Sequence, residues 1–137
     1  MLIDTHAHYD DSRFDNDRDE LLQSLKSKGI AYVVNASSNV SSNAMSISLS
    51  RKFDFIFASV GIHPHDSSDF NDEVLDMLRS LSSNEKVVAI GEIGLDYYYD
   101  NVPREIQKSC FAKQIRLARQ LDLPIIIHDR DAHEDTL

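Results

Sequence analysis

Short apolar runs alternate with longer amphipathic stretches along the whole chain. The apolar runs lie at Leu2-Ile3 and at residues 31–35, 55–60, 86–90 and 124–127. Several are rich in β-branched and aromatic residues, which is typical of strands. Short apolar strands that alternate with helices form parallel sheets with both faces covered. The pattern therefore predicts an α/β fold with five parallel strands.

The stretches between these runs carry apolar residues at helical spacing. The first ends in lysines followed by Gly29, a residue that favours a helix end. The last long stretch begins at Pro103, which suits a first helical turn, and places Ile106 and Cys110 on its apolar side. The predicted helices cover residues 15–28, 42–50, 72–81 and 103–121, and a fifth starts just before the chain ends.

The spacing of the strands distinguishes two architectures. The strands recur about every 30 residues, so eight such units would need roughly 245 residues, close to a (β/α)8 barrel. On this interpretation residues 1–137 form a single partial domain of the TIM-barrel type, truncated to about the first five strands and four helices. The alternative is a complete doubly wound sheet of five strands. Length alone favours the doubly wound sheet, whereas the polar residues at the strand ends favour the barrel.

Polar residues follow four of the five predicted strands. The segments are Asp4-Thr5-His6-Ala7-His8, Gly61-Ile62-His63-Pro64-His65, Gly91-Glu92-Ile93-Gly94-Leu95-Asp96 and His128-Asp129-Arg130-Asp131. In a parallel barrel, the C-terminal ends of all strands open onto one face, where active sites are built. We therefore expect a cluster of five side chains from distant parts of the sequence: His6, His8, His63, Glu92 and His128.

Four of these side chains form a predicted metal site: His6, His8, Glu92 and His128. Residues i and i+2 of a strand point the same way, so His6 and His8 can reach one cation. Glu92 follows an apolar strand, where a carboxylate is costly to bury unless it is paired or binds a cation. As a catalytic residue it would bridge two divalent cations that clamp a phosphodiester and activate a shared water. The mixed ligands suit zinc, manganese, iron or nickel, and magnesium stays open if carboxylates and waters join in.

Two further side chains are candidates for substrate binding. His63, as an imidazolium, would meet a phosphate at the mouth of the barrel. Arg130 would bind a phosphate through two parallel hydrogen bonds. An ion pair with Asp129 or Asp131 is the competing interpretation for Arg130.

Asp4 and Asp96 are predicted to support the metal ligands. Asp4 would orient a ligand histidine through the second ring nitrogen, and Asp96 would do the same or bind solvent. The neighbouring Tyr97, Tyr98 and Tyr99 allow base stacking, although packing in the wall of the site is the stronger expectation for each of them.

Composition narrows the class of protein. Hydrophobic residues make up 42% of the chain, charged residues 27%, and the net charge is −9. That charge disfavours a nonspecific nucleic-acid binder, unless bound cations offset part of it. No apolar run reaches the roughly 18 residues of a membrane span, and the N-terminus lacks the pattern of a signal peptide. The lone Cys110 suits a reducing environment, so we expect a cytoplasmic protein without membrane contact.

Taken together, these segments resemble the TatD metal-dependent deoxyribonucleases, which belong to the amidohydrolase-like barrels. The resemblance runs through the whole chain, including residues 124–128 and 130–137. It implies a divalent-metal hydrolase that cleaves DNA, often as a 3′–5′ exonuclease. It also implies that His6, His8 and Glu92 hold one cation, and that Glu92 and His128 hold a second.

The resemblance also implies a later histidine and a later aspartate as ligands, and neither occurs among these residues. We therefore expect weakened metal sites, little nuclease activity and self-association through the open barrel edges. Two other functions stay open: an amidohydrolase that acts on a small cyclic amide or ester, and a non-catalytic fragment. The motifs after the third and fourth strands favour DNA cleavage by resemblance.

Overall fold

The computed structural model describes all residues from 1 to 137 and contains one sheet of five parallel strands. The strands are β1 (Leu2–Ala7), β2 (Ile30–Ala36), β3 (Ile56–Val60), β4 (Val87–Asp96) and β5 (Ile125–Arg130). The helices are α1 (Arg18–Leu25), α2 (Val40–Lys52), α3 (Asp72–Leu81), α4 (Arg104–Leu121) and α5 (His133–Thr136). Short 3₁₀ turns cover Ser12–Phe14, Lys26–Lys28 and Pro64–Asp69.

The strand order decides between the two predicted architectures. The strands pair in the order β1-β2-β3-β4-β5, and every pair is parallel. A doubly wound sheet reverses its order at a switch point, and this sheet does not. Right-handed crossovers that all advance in one direction place the helices on one face and curve the sheet toward a barrel. The prediction of a TIM-barrel-type half barrel is confirmed.

The core lies between the sheet and its helices in two clusters. In the larger cluster, Leu78 of α3 and Leu117 of α4 pack with Val60, Ile90 and other strand residues. The smaller cluster contains Leu22 and Leu25 of α1. This outer layer fixes the sheet from one side.

Cys110 lies in the larger cluster, and burial raises the pKa of its thiol to about 12. Its prediction as a core residue is confirmed. None of the helices is long and apolar enough to span a membrane.

Three strands extend further than the sequence predicts. β1 continues to Ala7, β4 to Asp96 and β5 to Arg130. The polar residues there look like loop residues in sequence, but the strands still pair, with Gly94 opposite His128. Because one face of each strand lines the mouth of the barrel, polar side chains are compatible with continued strand pairing.

The helix boundaries also differ in places. The predicted helix 15–28 is shorter, since α1 covers only Arg18–Leu25 before a 3₁₀ turn that ends at Gly29. The second helix is longer than predicted, because the Asn39 side chain caps it by accepting from the N–H of Ser42. The third helix, Asp72–Leu81, agrees with its prediction.

The buried face of α4 is more polar than predicted. Ile106 is exposed, whereas Gln107 and Gln114 are buried. The Gln107 amide bonds both the N–H and the carbonyl of Asp96, at 2.8 and 3.1 Å. Gln114 binds the main chain of Ile62 in the same way, at 2.8 and 3.0 Å. These two amides hold the segments that carry the candidate site.

Candidate metal centre

Glu92 lies between two groups of histidines at the C-terminal end of the sheet. Its Oε2 atom is 3.3 Å from Nε2 of His6 and 3.5 Å from Nε2 of His8. Its Oε1 atom is 3.1 Å from Nδ1 of His128. The structure thus brings together the four side chains that the sequence predicts as metal ligands, and the two carboxylate oxygens face different groups.

The first group consists of His6, His8 and Glu92. His8 Nδ1 is 2.9 Å from the main-chain carbonyl of Ala36. A carbonyl only accepts, so Nδ1 carries the hydrogen and the neutral ring presents a lone pair at Nε2. That atom lies 3.2 Å from Nε2 of His6 and faces the Glu92 carboxylate. Three electron-rich atoms that converge in this way fit a divalent cation between them.

The second group consists of His63, Glu92 and His128, whose candidate ligand atoms lie within 4.8 Å of one another. His128 directs Nδ1 to Glu92 and Nε2 to Asp96, at 3.1 and 3.0 Å. A histidine that binds a metal through one nitrogen commonly donates its other N–H to a carboxylate, as this arrangement allows. Glu92 and His128 of this group therefore fit as ligands of a second cation.

Asp96 supports His128, and its carboxylate is fully enclosed, with 1% of the residue exposed. Its Oδ2 atom contacts both His128 and His65, the latter at 2.9 Å. Its Oδ1 atom accepts from the N–H groups of Tyr98 and Tyr99, each at 3.1 Å. Of the two arrangements expected for Asp96, the structure shows the contact with a candidate ligand histidine.

Asp4 occupies a different place from the one expected. Its Oδ1 atom accepts from the main-chain N–H of His6 at 3.2 Å and contacts no imidazole nitrogen. The side chain therefore fixes the backbone of β1, and the Ala36 carbonyl orients the ring of His8 instead.

His63 is neutral in this environment. Burial lowers its pKa to about 4, with a further contribution from His128. Its Nδ1 atom accepts from the N–H of His65 at 3.2 Å, so the neutral ring carries its hydrogen on Nε2. The expected imidazolium is thus replaced by a neutral ring that can donate one hydrogen bond.

The two buried carboxylates are held in their ionised forms. Burial raises the pKa of Glu92, but the hydrogen bond from His128 and the charge of His6 outweigh this effect and bring the pKa to about 2. Burial also raises the pKa of Asp96, but hydrogen bonds from the N–H of Tyr99 and from two histidines lower it to about 2. Both groups are ready to bind cations or protonated imidazoles near neutral pH.

Arg130 lies at the edge of the same pocket. Its guanidinium carbon is 4.1 Å from the ring centre of Tyr98 and 4.9 Å from that of Tyr99. It forms no ion pair, because Asp129 contacts His133 instead and Asp131 has no basic partner. The ion-pair interpretation of Arg130 is therefore wrong, and the guanidinium is free toward the pocket.

The pocket itself is open, polar and about 1010 Å³ in volume. Arg130, His63, Glu92 and His128 form part of one side. Carboxylates from the segment after β1 line another part: Asp10, Asp11 and Asp15. The space is large enough for a nucleotide-sized ligand.

Four contributors to this site could not be predicted, or were not predicted, from the sequence. The Ala36 carbonyl could not be found from residue type, since any residue supplies it. Gln107 and Gln114 were detectable in the sequence, because two amides seven residues apart interrupt an otherwise apolar helix face. His65 is not among the predicted site residues, although it shares Asp96 with His128.

The sequence is similar to that of known proteins of one family. The sequence model described as TatD related DNase matches residues 3–137. An uncharacterised metal-dependent hydrolase, YabD of Bacillus subtilis, is 42% identical over 137 residues, which is 100% of this chain and 54% of the relative. The 3′-5′ ssDNA/RNA exonuclease TatD of Cronobacter sakazakii is 35% identical, over 96% of this chain and 50% of the relative.

A solved structure is also similar. The crystal structure of YjjV, a TatD homologue from Escherichia coli K12, superimposes with a TM-score of 0.89 at 31% identity. The match covers 98% of this chain and 53% of that one. The chain thus spans about half the length of the relatives it matches.

Proposed function

We propose that this chain, which belongs to the TatD-related DNase family, carries the metal centre of a hydrolase that cleaves phosphodiester bonds of DNA from the 3′ end. The observation that carries the proposal is the position of Glu92. Its two oxygens face two separate histidine groups, 3.1 to 3.5 Å away. A carboxylate in that position suits two cations held side by side, the arrangement used for phosphodiester hydrolysis.

This chain would supply part of the ligand set for two divalent cations, such as magnesium, manganese or zinc. His6, His8 and Glu92 would hold one cation, and Glu92 with His128 would hold the other. When bound, such cations lower the pKa of water and neutralise charge on a phosphate.

The remaining side chains would bind and orient the substrate. The neutral His63 would donate its Nε2–H to a phosphate oxygen, and Arg130 would add a charged donor at the edge of the pocket. Asp96 keeps the His128 ring in place through a 3.0 Å contact. The donors are held before substrate arrives, so little reorganisation is needed on binding.

The proposed direction and substrate are inferred from the name of a relative. The Cronobacter sakazakii protein is named a 3′-5′ ssDNA/RNA exonuclease. An open pocket of about 1010 Å³ can admit the end of a single strand. We therefore propose DNA as the substrate, with single-stranded ends preferred.

The proposal is tested with single-stranded DNA labelled at its 5′ end, incubated with the 137-residue protein and manganese or magnesium. We expect slow stepwise shortening from the 3′ end that stops in EDTA, since two of the ligands that the resemblance implies do not occur among these residues. Loss of a residue that only supports a metal ligand typically lowers activity ~10–100-fold. Because Glu92 itself would hold both cations, turnover of E92Q should fall by more than this.

The matched control is E85Q, because Glu85 is an exposed carboxylate outside the pocket. This variant should retain full turnover. Shortening that survives EDTA or E92Q, or the absence of any turnover in the unaltered protein, would refute the proposal.

A further inference from the structure

Two adjacent tyrosines lie exposed at the mouth of the pocket. Tyr98 is 58% and Tyr99 51% exposed, and their rings meet edge to face at 4.9 Å. Tyr99 lines the pocket together with Arg130. The Tyr99 ring also meets the ring of His65 at 5.2 Å, so it belongs to the wall of the site as expected, but about half of its surface stays open to water. Two large rings left open to water beside a polar pocket need a physical explanation.

Tyr97, in the same segment, has a structural role. Its ring is half-buried under the guanidinium of Arg104 at 4.1 Å, and its hydroxyl donates to Asp135 at 2.6 Å. The hydroxyls of Tyr98 and Tyr99 make no comparable hydrogen bond. Tyr97 therefore stabilises the fold, whereas the next two rings stay available.

The two exposed rings are held at a fixed place relative to Glu92. The Asp96 carboxylate accepts from both of their main-chain N–H groups, and its other oxygen contacts His65 and His128. His128 in turn contacts Glu92. A short chain of hydrogen bonds thus connects the rings with the candidate metal centre.

The charges around the pocket also favour nucleic-acid binding on the side that carries the two tyrosines. Asp10 lines the region after β1 without a basic partner and would repel a phosphate backbone, whereas Asp11 and Asp15 pair with Arg13 and Arg18. Arg130, stacked on both tyrosines, is a cation without a carboxylate partner. With a net charge of −9, the chain cannot attract nucleic acid by overall charge. Contacts that do not depend on charge must contribute to binding.

We propose that Tyr98, Tyr99 and Arg130 form a binding subsite for single-stranded nucleic acid, in which a base stacks on Tyr99 and the adjoining phosphate contacts Arg130. The subsite rests on the proposed function and adds the means by which a strand is held. Every base has a π face, so the subsite accepts any base and selects single strands, whose bases are free to stack.

The test measures binding rather than cleavage. A short single-stranded oligonucleotide that contains 2-aminopurine is titrated with the protein in EDTA, where hydrolysis cannot occur. We expect quenching when the 2-aminopurine stacks on the ring. Y99L should weaken binding roughly 5- to 150-fold, the loss expected for one base stacked on an aromatic side chain. Y99F should bind within about twofold of the unaltered protein because stacking needs only the ring.

Salt dependence separates stacking from charge. Y99L should weaken binding by the same factor at low and high salt. R130Q should instead reduce the slope of log affinity against log salt by about 0.7, the loss of one phosphate contact on a single strand. A Y99L effect that disappears at high salt would overturn the assignment of Tyr99.

The matched control is Y32L, since Tyr32 is 46% exposed and lies outside the pocket. This variant should bind the oligonucleotide like the unaltered protein. The subsite is overturned if Y99L binds normally, if Y32L weakens binding equally, or if the unaltered protein shows no binding. Loss of binding in Y99L together with an absence of manganese-dependent cleavage would leave the subsite standing and refute the hydrolase proposal instead.

Discussion

At the scale of single residues, Asp96 organises more of the site than any other side chain outside the candidate ligands. Its carboxylate has four partners, two main-chain N–H groups and two imidazoles. A buried carboxylate is stabilised only when its oxygens are satisfied in this way. Each partner is therefore positioned relative to the others through one group.

Replacement of this carboxylate should weaken metal binding without removing a ligand. We expect D96N to lower the affinity for manganese or zinc about 10–100-fold, because His128 loses the partner that orients its ring. Isothermal titration calorimetry measures the change directly. D76N, which alters an exposed carboxylate on α3, is the matched control and should leave the affinity unchanged. Equal affinities in D96N and D76N would contradict the role of Asp96.

The same residues make the metal-free protein sensitive to acid. The pKa values of Glu92 and Asp96 are lowered to about 2 and that of His63 to about 4. A lowered pKa means that the folded state binds the proton less tightly than the unfolded state. The stabilisation from the carboxylates is complete above their usual pKa of about 4 and is lost as the pH falls toward 2. That from His63 is lost between about 6.5 and 4.

We therefore expect the Tm of the metal-free protein to fall steadily between pH 7 and pH 3. In D96N the decline below pH 5 should be shallower, because one of the two carboxylates no longer titrates. Circular dichroism melts in EDTA across this range provide the measurement. A Tm that is the same at pH 7 and pH 3 would show that these groups do not govern stability.

At this scale, the sequence predicts which side chains can act as ligands. It does not predict contacts made by main-chain groups. His6, His8, Glu92 and His128 could be found because each follows an apolar strand. The neutral state of His63 could not, since it depends on burial and on the N–H of His65. Asp4 looked like a partner of an imidazole, although the nearest donor is its own backbone neighbour.

At the scale of elements, β4 and β5 approach unusually closely at the mouth of the pocket. Gly94 has a φ of 149°, and a Cβ atom placed there would lie 1.9 Å from the carbonyl oxygen of His128. Only glycine fits both the conformation and the space. This contact sets the position of β5 and therefore of the imidazole of His128.

We expect G94A to destabilise the fold by about 3 kcal/mol or more, because the strands must separate to admit the methyl group. The control is G29A, a position with a φ of 89° but no atom within 4 Å of the added Cβ. Its cost should be about 1–2 kcal/mol, from the left-handed conformation alone. Urea unfolding measures both values. Equal losses in the two variants would argue against a steric role for Gly94.

The order of the elements was predictable from sequence, but the strand ends were not. The alternation of apolar runs and amphipathic stretches predicts all five strands and the four long helices. The predicted ends of β4 and β5 were wrong because charged residues are normally typical of loops. Here the pairing of Gly94 with His128 continues the sheet, since these side chains face an open pocket rather than the core.

At the scale of the whole molecule, the sheet is open at both sides. β1 and β5 are the edge strands, and each has only one neighbour. Leu2, Ile3 and Ile127 on these strands are exposed. Unpaired edges with apolar side chains favour pairing with another strand.

We expect residues 1–137, taken alone, to self-associate through these edges at micromolar concentrations. I127K, which places a charge on β5, should shift the distribution toward monomer because an edge charge disfavours pairing. I106K, at an exposed isoleucine on α4, is the matched control and should leave the distribution unchanged. Size-exclusion chromatography with light scattering reads out the mass. A monomer at all concentrations would contradict the expectation.

The bond between His8 and the carbonyl of Ala36 has an evolutionary consequence. Every amino acid carries a main-chain carbonyl, so no point substitution at position 36 can delete this acceptor. The acceptor for His8 is therefore independent of the side chain at position 36, whereas a single nucleotide change at Asp96 can erase its contacts. The orientation of His8 is thus inherited with the backbone of β2, and that of His128 with one codon.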